Sequence, residues 1–566
     1  VLSPANAEII LKKNLGPVTP GTKQTVEVTR NDIPKNLLGE QREAAQLILD
    51  WIEDENGPRD FSLIGKAGTG KTTTIASLIE LLEREGKIIG RILIGALSHK
   101  ATGVIKDQIT EFYESSGNTP STGAEFVTVA SMMGMKMDEV TGEFEKDYTA
   151  DNKLGNAGLV IVDESSMINE EAFEILLSEL PSGSKILFLG DSGQLSPIRN
   201  SRAYKFGAFK GEDKKVVSPV FTDERFGNKN SYKLVTRRRQ GEDSDILPFA
   251  DIFWNESHKV EGVKNNPASS LDRKDSDQLK FVTSELEALR ASYPLFKKAI
   301  EDGDPSLVKV IVYKNNTRQR VNKEVRGAVL NFPKEAIVPG EIMIATNTFE
   351  KGTSQNRRSP LVKDLSGKIT NSTQIIVTKV SDVEEYSSEG KTFRYYMVSY
   401  INSNGAEIEV PVLHPEDSTK WSNHVKSLWA SRKAIVAELG KGHTDARKAT
   451  DKAAIASYHT FVPFEYGYAI TSHKSQGSGY NVSIVHEADI YGVTKTNTQE
   501  KHRSMYTAIT RAREKVIVIQ RSQLSTPTES TQGAPRGDQD YSMDDFYSNV
   551  LGGADGGTDS EVGAAF

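Results

Sequence analysis

Gly65-Lys-Ala-Gly-Thr-Gly-Lys71-Thr72 follows the pattern G-x(4)-G-K-[ST]. Glycines at 65, 68 and 70 let main-chain N–H groups close around phosphates, with Thr69 and Thr73 flanking the cradle. Lys71 brings a cation to β and γ oxygens, and the Thr72 hydroxyl is a hard ligand for Mg2+. Farther on, Leu159-Val-Ile-Val-Asp163-Glu164 ends four apolar residues in two acids. Beside a phosphate site, Asp163 can hold magnesium through water, and Glu164 can orient or deprotonate an attacking water. The chemistry this points to is hydrolysis of ATP with Mg2+.

Such groups must sit where strand ends meet helix starts. Apolar runs at 61–64, 91–96, 159–163 and 185–190 read as buried strands, and 38–51 and 72–85 as helices. Their alternation predicts an α/β fold with a parallel sheet. The runs 309–313, 464–471, 482–485 and 515–519 predict a second sheet. Between them, 336–413 reads as several strands without a long helix, and 416–458 as charged and helical.

The chain has 566 residues, 37% hydrophobic and 26% charged, which suits several soluble domains. Cysteine is absent, which excludes disulfides, thiolate zinc sites and cysteine catalysis. Nine scattered histidines make no ligand pair for a transition metal. No leader or membrane-length apolar run is expected, so the reading is cytoplasmic, with no membrane partner. Residues 523–566 hold eight acids and one base, enough to account for the net charge of −7. The rest is balanced, which leaves room for a local basic groove.

Four further segments, in order, carry a family resemblance: Asp163-Glu-Ser-Ser-Met167, Gly190-Asp-Ser-Gly-Gln194-Leu-Ser-Pro197, Thr471-Ser-His-Lys-Ser-Gln-Gly477 and Tyr506-Thr-Ala-Ile-Thr-Arg511-Ala-Arg513. The set resembles superfamily 1B DNA helicases of the RecD/Dda branch, over about residues 36–522. The resemblance implies two RecA-like parallel-sheet domains with ATP between them. It makes Gln41, in Leu38-Gly-Glu-Gln41, the adenine reader, and Gln194 a γ-phosphate sensor. It makes Arg239 and Arg511 the two arginines that reach the γ-phosphate from the second domain. Fixed positive charge there meets the negative charge that gathers in the transition state.

The same resemblance implies a grip on single-stranded DNA by Ser98, His99 and Lys100, by Thr128, by Asn315, and by Thr471, His473 and Lys474. Leu97 stands where the family usually has proline, and Ala130 where it usually has histidine. Residues 133–150 read as a hairpin turning near Thr141-Gly142, which the resemblance makes a pin with Phe144 at the fork.

The expected division is an extension over 1–35; a first domain over 36–235, with the pin insertion about 110–156; a second domain over 236–335 and 463–522; an SH3-like and helical tower insertion over 336–462; and an acidic disordered tail over 523–566. The expected activity is ATP-driven 5′ to 3′ translocation on single-stranded DNA with duplex unwinding, by a monomer in a bacterial or phage-infected cytoplasm. Two other readings stand beside it: an ATPase that remodels protein–DNA complexes, and an RNA helicase. Fork DNA, and a protein docked on the acidic tail, are the expected partners.

Overall fold

The computed structural model describes residue 37 and residues 39–520, apart from 85–89, 116–122, 138–143, 147–151, 198–217, 222–229, 237–243, 260–261, 271–272, 351–357, 363–364, 366–367, 403, 441 and 494–496. Arg239, the 1–35 extension and the 523–566 tail therefore lie outside the described residues.

Six parallel strands form the first sheet, in the order Ala124–Phe126, Arg91–Gly95, Ala157–Val162, Lys185–Gly190, Asp60–Gly65 and Ser231–Leu234. Its central strands are apolar throughout because both faces are covered. Alternate side chains feed two cores. Leu63, Leu159, Ile161 and Leu187 join the helices Glu40–Glu53 and Lys71–Arg84 on one face. Ile64, Val160, Val162 and Phe188 join the helix Glu170–Glu179 on the other.

The second sheet is also parallel: Ala469–Thr471, Val308–Val312, Tyr480–His486, Ala512–Ile519 and Leu279–Val282. The helices Ile246–Ser257 and Thr498–Ile509 share one of its cores. The architecture is thus α/β with two parallel-sheet lobes. The short strands Ala124–Phe126, Ser231–Leu234 and Leu279–Val282 carry too little apolar pattern to be read from sequence.

Two insertions depart from the lobes. Met135–Met137 pairs antiparallel with Phe144–Lys146, Met137 opposite Phe144; the turn expected near Thr141-Gly142 lies outside the described residues. An antiparallel sheet runs Glu384–Ser388, Lys391–Ile401, Gln374–Val380, Ile342–Ala345, Phe464–Tyr466, with Glu407–Leu413 beside Lys391–Ile401. The helices Ser418–Leu439 and Thr444–Ala454 follow it in the chain. Trp421 and Trp429 are buried against Phe393, Phe461 and their neighbours.

One expectation needs correction. Residues 464–471 are not a single strand of the second sheet. Phe464–Tyr466 pairs with Ile342–Ala345 in the inserted sheet, and Ala469–Thr471 pairs with Val308–Val312. Gly467 makes the handover, donating its N–H to Ile342 O. The inserted sheet therefore runs past residue 462. Among the described residues no helix is long and apolar enough to cross a membrane.

Candidate active site

The strand Asp60–Gly65 runs into a turn where Gly68 and Gly70 both take φ of 83°, a conformation that favours glycine. Lys71 then opens the helix Lys71–Arg84, so the positive end of the helix faces the turn. Lys71 Nζ donates to Gly65 O at 2.7 Å and to Lys66 O at 3.3 Å. The lysine is folded back onto its own loop. Buried Gln41 donates to Gly70 O at 3.4 Å, and a Cβ on Gly70 would lie 2.1 Å from Gln41 Nε2. Thr69 Oγ1 donates to Lys66 O at 2.9 Å; Thr72 is half-buried and Thr73 exposed on the first helical turn.

Asp163 and Glu164 follow the strand Ala157–Val162. Glu164 has φ of 52°, unusual for a residue with a side chain and a common mark of functional turns. Desolvation pushes its carboxyl up to about 7, and neighbouring Asp163 adds to the rise. Arg511 and Lys71 oppose it. Desolvation also raises Asp163, against a hydrogen bond from Glu164 N at 2.8 Å and the charge of Lys71. The Asp163 carboxylate and the Thr72 hydroxyl are hard oxygen donors of the kind that suit Mg2+.

Arg511 comes from the second lobe. It is 7% exposed and held by main-chain oxygens, Nε to Thr507 O at 3.0 Å and Nη1 to Ser478 O at 3.3 Å. Gln194 is buried and accepts from Gln476 Nε2 at 3.3 Å, again across the lobes.

Three groups escaped the sequence reading. Asp191, 1% exposed, accepts from Ala67 N at 3.0 Å, Gly193 N at 3.0 Å, Trp254 Nε1 at 2.9 Å and the Tyr506 hydroxyl. Ala67 N also donates to the Tyr506 hydroxyl at 3.1 Å. Asp191 and Tyr506 lay inside quoted motifs, but nothing local signalled their partners. Trp254 lay in no motif.

Two of the expected grip segments meet where the lobes touch, 98–101 and 471–477. A Cβ on Gly477 would sit 3.1 Å from Ala101 Cβ, so the helix His99–Ser115 begins against the loop after Thr471–Lys474. Ser98, Thr128 and Thr471 already accept hydrogen bonds from helix-start N–H groups of Ala101, Ser131 and Lys474. Lys100 Nζ is buried without a hydrogen-bond partner and is pushed down to about 8 by desolvation. Desolvation takes His99 and His473 to about 4, and Lys368 adds to the fall at His99. Asn315 opens the helix Asn315–Val329, after main-chain N–H groups of Tyr313 and Lys314 that donate to Asp489 at 2.8 Å. Phe144 opens the second strand of the hairpin, paired with Met137.

Fold and site together define a two-lobed P-loop nucleotide-binding protein. The AAA domain family matches residues 53–200, and the UvrD-like helicase C-terminal domain matches 466–519. The chain is 23% identical to uncharacterized protein R530 of Acanthamoeba polyphaga mimivirus, over 84% of this chain and 98% of that one. It is 26% identical to the ATP-dependent DNA helicase dda of Enterobacteria phage T4, over 54% and 71%. It is 23% identical to the RecBCD enzyme subunit RecD of Buchnera aphidicola, over 48% and 41%. A solved structure of Pif1 helicases at forked duplex DNA aligns over 86% of this chain and 92% of that one, with TM-score 0.42 and 18% identity. The helicase Dda and RecD subunits are thus among the proteins to which the chain is similar in sequence.

Proposed function

We propose that the chain is an ATP-dependent single-stranded DNA translocase and DNA helicase that moves 5′ to 3′. The observation that carries this reading is the contact of the second lobe with the phosphate cradle: the Tyr506 hydroxyl accepts from Ala67 N at 3.1 Å and donates to Asp191, and the Arg511 charge bears on Glu164 beside it. A reaction centre completed across a cleft makes hydrolysis depend on lobe closure, as a motor requires. The name of Dda, an ATP-dependent DNA helicase, supports the DNA substrate.

On this reading ATP draws Lys71 off Gly65 O and onto phosphate oxygens. Gln41 meets the adenine edge, Gln194 registers the γ-phosphate, and Glu164 aligns the attacking water. Arg511, joined by Arg239, stabilises the charge that develops as the phosphoryl group leaves. Thr72 and Asp163 would hold Mg2+, whose contribution is to neutralise phosphate charge. Closure and reopening move the strand past Ser98, His99, Lys100 and Thr128 on one lobe, and Asn315, Thr471, His473 and Lys474 on the other. Phe144 and the hairpin split the duplex. The inserted sheet with its two helices braces them as the SH3-like and tower insertion, and the acidic tail docks a protein partner.

The test is ATP hydrolysis with and without single-stranded DNA beside Lys71→Ala, then strand displacement on duplexes with 5′ or 3′ tails. Stimulated hydrolysis and unwinding of the 5′-tailed duplex alone are expected. Hydrolysis indifferent to DNA, or equal in Lys71→Ala, would refute the reading.

A further inference from the structure

The loop from Gly190 to Gln194 is one place where the first lobe meets the second, and four consecutive residues, 191 to 194, each touch the second lobe. Asp191 accepts from Trp254 Nε1 at 2.9 Å and from the Tyr506 hydroxyl. Ser192 Oγ lies 2.9 Å from His258 Nε2. A Cβ on Gly193 would sit 2.0 Å from Trp254 Cδ1, so the indole occupies the space a side chain would need. Gln194 Oε1 accepts from Gln476 at 3.3 Å.

Trp254 projects from the second-lobe helix Ile246–Ser257 into the first lobe. Lys66 Nζ, in the P-loop, lies 4.3 Å from its ring centroid, and Lys233 Nζ, in the edge strand, lies 4.9 Å from it. Lys66 also pairs with Asp251 at 2.9 Å, one residue short of a turn before Trp254. His258, one turn after, stacks on the indole at 4.0 Å. An aromatic ring gives area at small entropic cost, and its N–H gives direction. Here the ring fills the gap at Gly193 while the N–H fixes Asp191, which itself holds the Ala67 N–H.

We propose that Trp254 is a positioning residue for ATP hydrolysis. It holds the loop so that Asp191 stays against the P-loop and Gln194 against Gln476, and so ties the reaction to the seating of the second lobe. This rests on the reading of the cleft as an ATPase. Lys66 and Ala67 belong to the phosphate cradle and both touch this cluster. Occupancy of the cradle and the position of the helix Ile246–Ser257 therefore bias one another through direct contacts.

The test measures steady-state ATP hydrolysis by the full chain, with and without single-stranded DNA, for Trp254→Phe, Trp254→Ala, Gly193→Ala and the pair Gly193→Ala with Trp254→Ala. Trp254→Phe keeps a ring but loses the donor, and kcat with DNA falls about tenfold while KM for ATP holds within about twofold. Gly193→Ala alone causes a comparable fall, because its methyl collides with the indole. On the Trp254→Ala background it adds no further loss. Should Trp254→Ala fail to fold, Trp254→Phe and Gly193→Ala decide the matter. The proposal is overturned if Trp254→Phe matches the parent in kcat and DNA stimulation, or if the Gly193→Ala and Trp254→Ala losses multiply. A parent chain that hydrolyses no ATP overturns the ATPase reading, and this inference with it.

Discussion

The Tyr506 hydroxyl of the second lobe donates to the Asp191 carboxylate of the first, 315 positions away, and accepts from the P-loop N–H of Ala67. One phenol thus bridges the phosphate cradle and the loop that carries Gln194. Tyr506→Phe removes the bridge and keeps the buried ring. The DNA-stimulated rate should fall by about tenfold with thermal stability within about 1 kcal/mol of the parent, by the usual value of one hydrogen bond. Parallel ATPase and melting assays check it; an unchanged rate would show that the bridge plays no part in turnover.

Lys71 makes only main-chain hydrogen bonds within its own loop, to Gly65 O and Lys66 O. Lys71→Ala should therefore leave the fold intact while hydrolysis drops by at least about a hundredfold, the scale for losing a preorganised cation at the reacting phosphate. Circular dichroism and a phosphate-release assay on the same preparation separate the two effects.

Acid should destabilise the protein well above the carboxylate range. His99, His473 and His502 are each lowered from 6.5 to about 4, mainly by desolvation. Between those values the unfolded chain binds protons that the folded chain refuses, so stability rises with pH through the window and is lost on acidification. Moving from pH 6.5 to 5 should cost roughly 1 kcal/mol per histidine. Urea unfolding across that range tests this, and a flat profile would contradict it.

Lys309 is fully buried and donates to Gly467 O; desolvation and the charge of Lys100 push it down to about 7. Lys309→Met, of similar shape, should stabilise the chain by about 2 kcal/mol near pH 6, since the charge of Asp304 only partly offsets the cost of burying the ammonium. The gain should shrink as pH rises from 7 towards 10.5, where the unfolded lysine also loses its proton. Chemical denaturation at pH 6 and pH 9 measures the difference.

What could be read from the residues was local. Lys71 and Asp163 stand where an apolar run ends, and the elements that carry them follow from hydrophobic period and glycine placement. What could not be read was pairwise and distant. Trp254 and Asp191 are 63 positions apart, Gln476 and Gln194 are 282 apart, and neither pair leaves a periodic trace. The run 464–471 shows the same limit within one segment. Its apolar pattern fits a strand, but which sheet each half joins is settled by the packing of Gly467 on Met343. The hydroxyls of Ser98, Thr128 and Thr471 were legible as strand-end groups, while their use as helix caps depends on the turns that follow them.

Arg511→Ala, assayed for nucleotide affinity and for ATP turnover on single-stranded DNA, tests the cross-lobe reaction centre most directly. Turnover should fall by about a thousandfold, the range for an arginine that stabilises phosphoryl transfer. ATP affinity should change only a few-fold, since Lys71 and the P-loop stay in place. Turnover equal to that of the parent would mean that Arg511 does not complete the reaction centre, and the account of a motor driven by closure would fail.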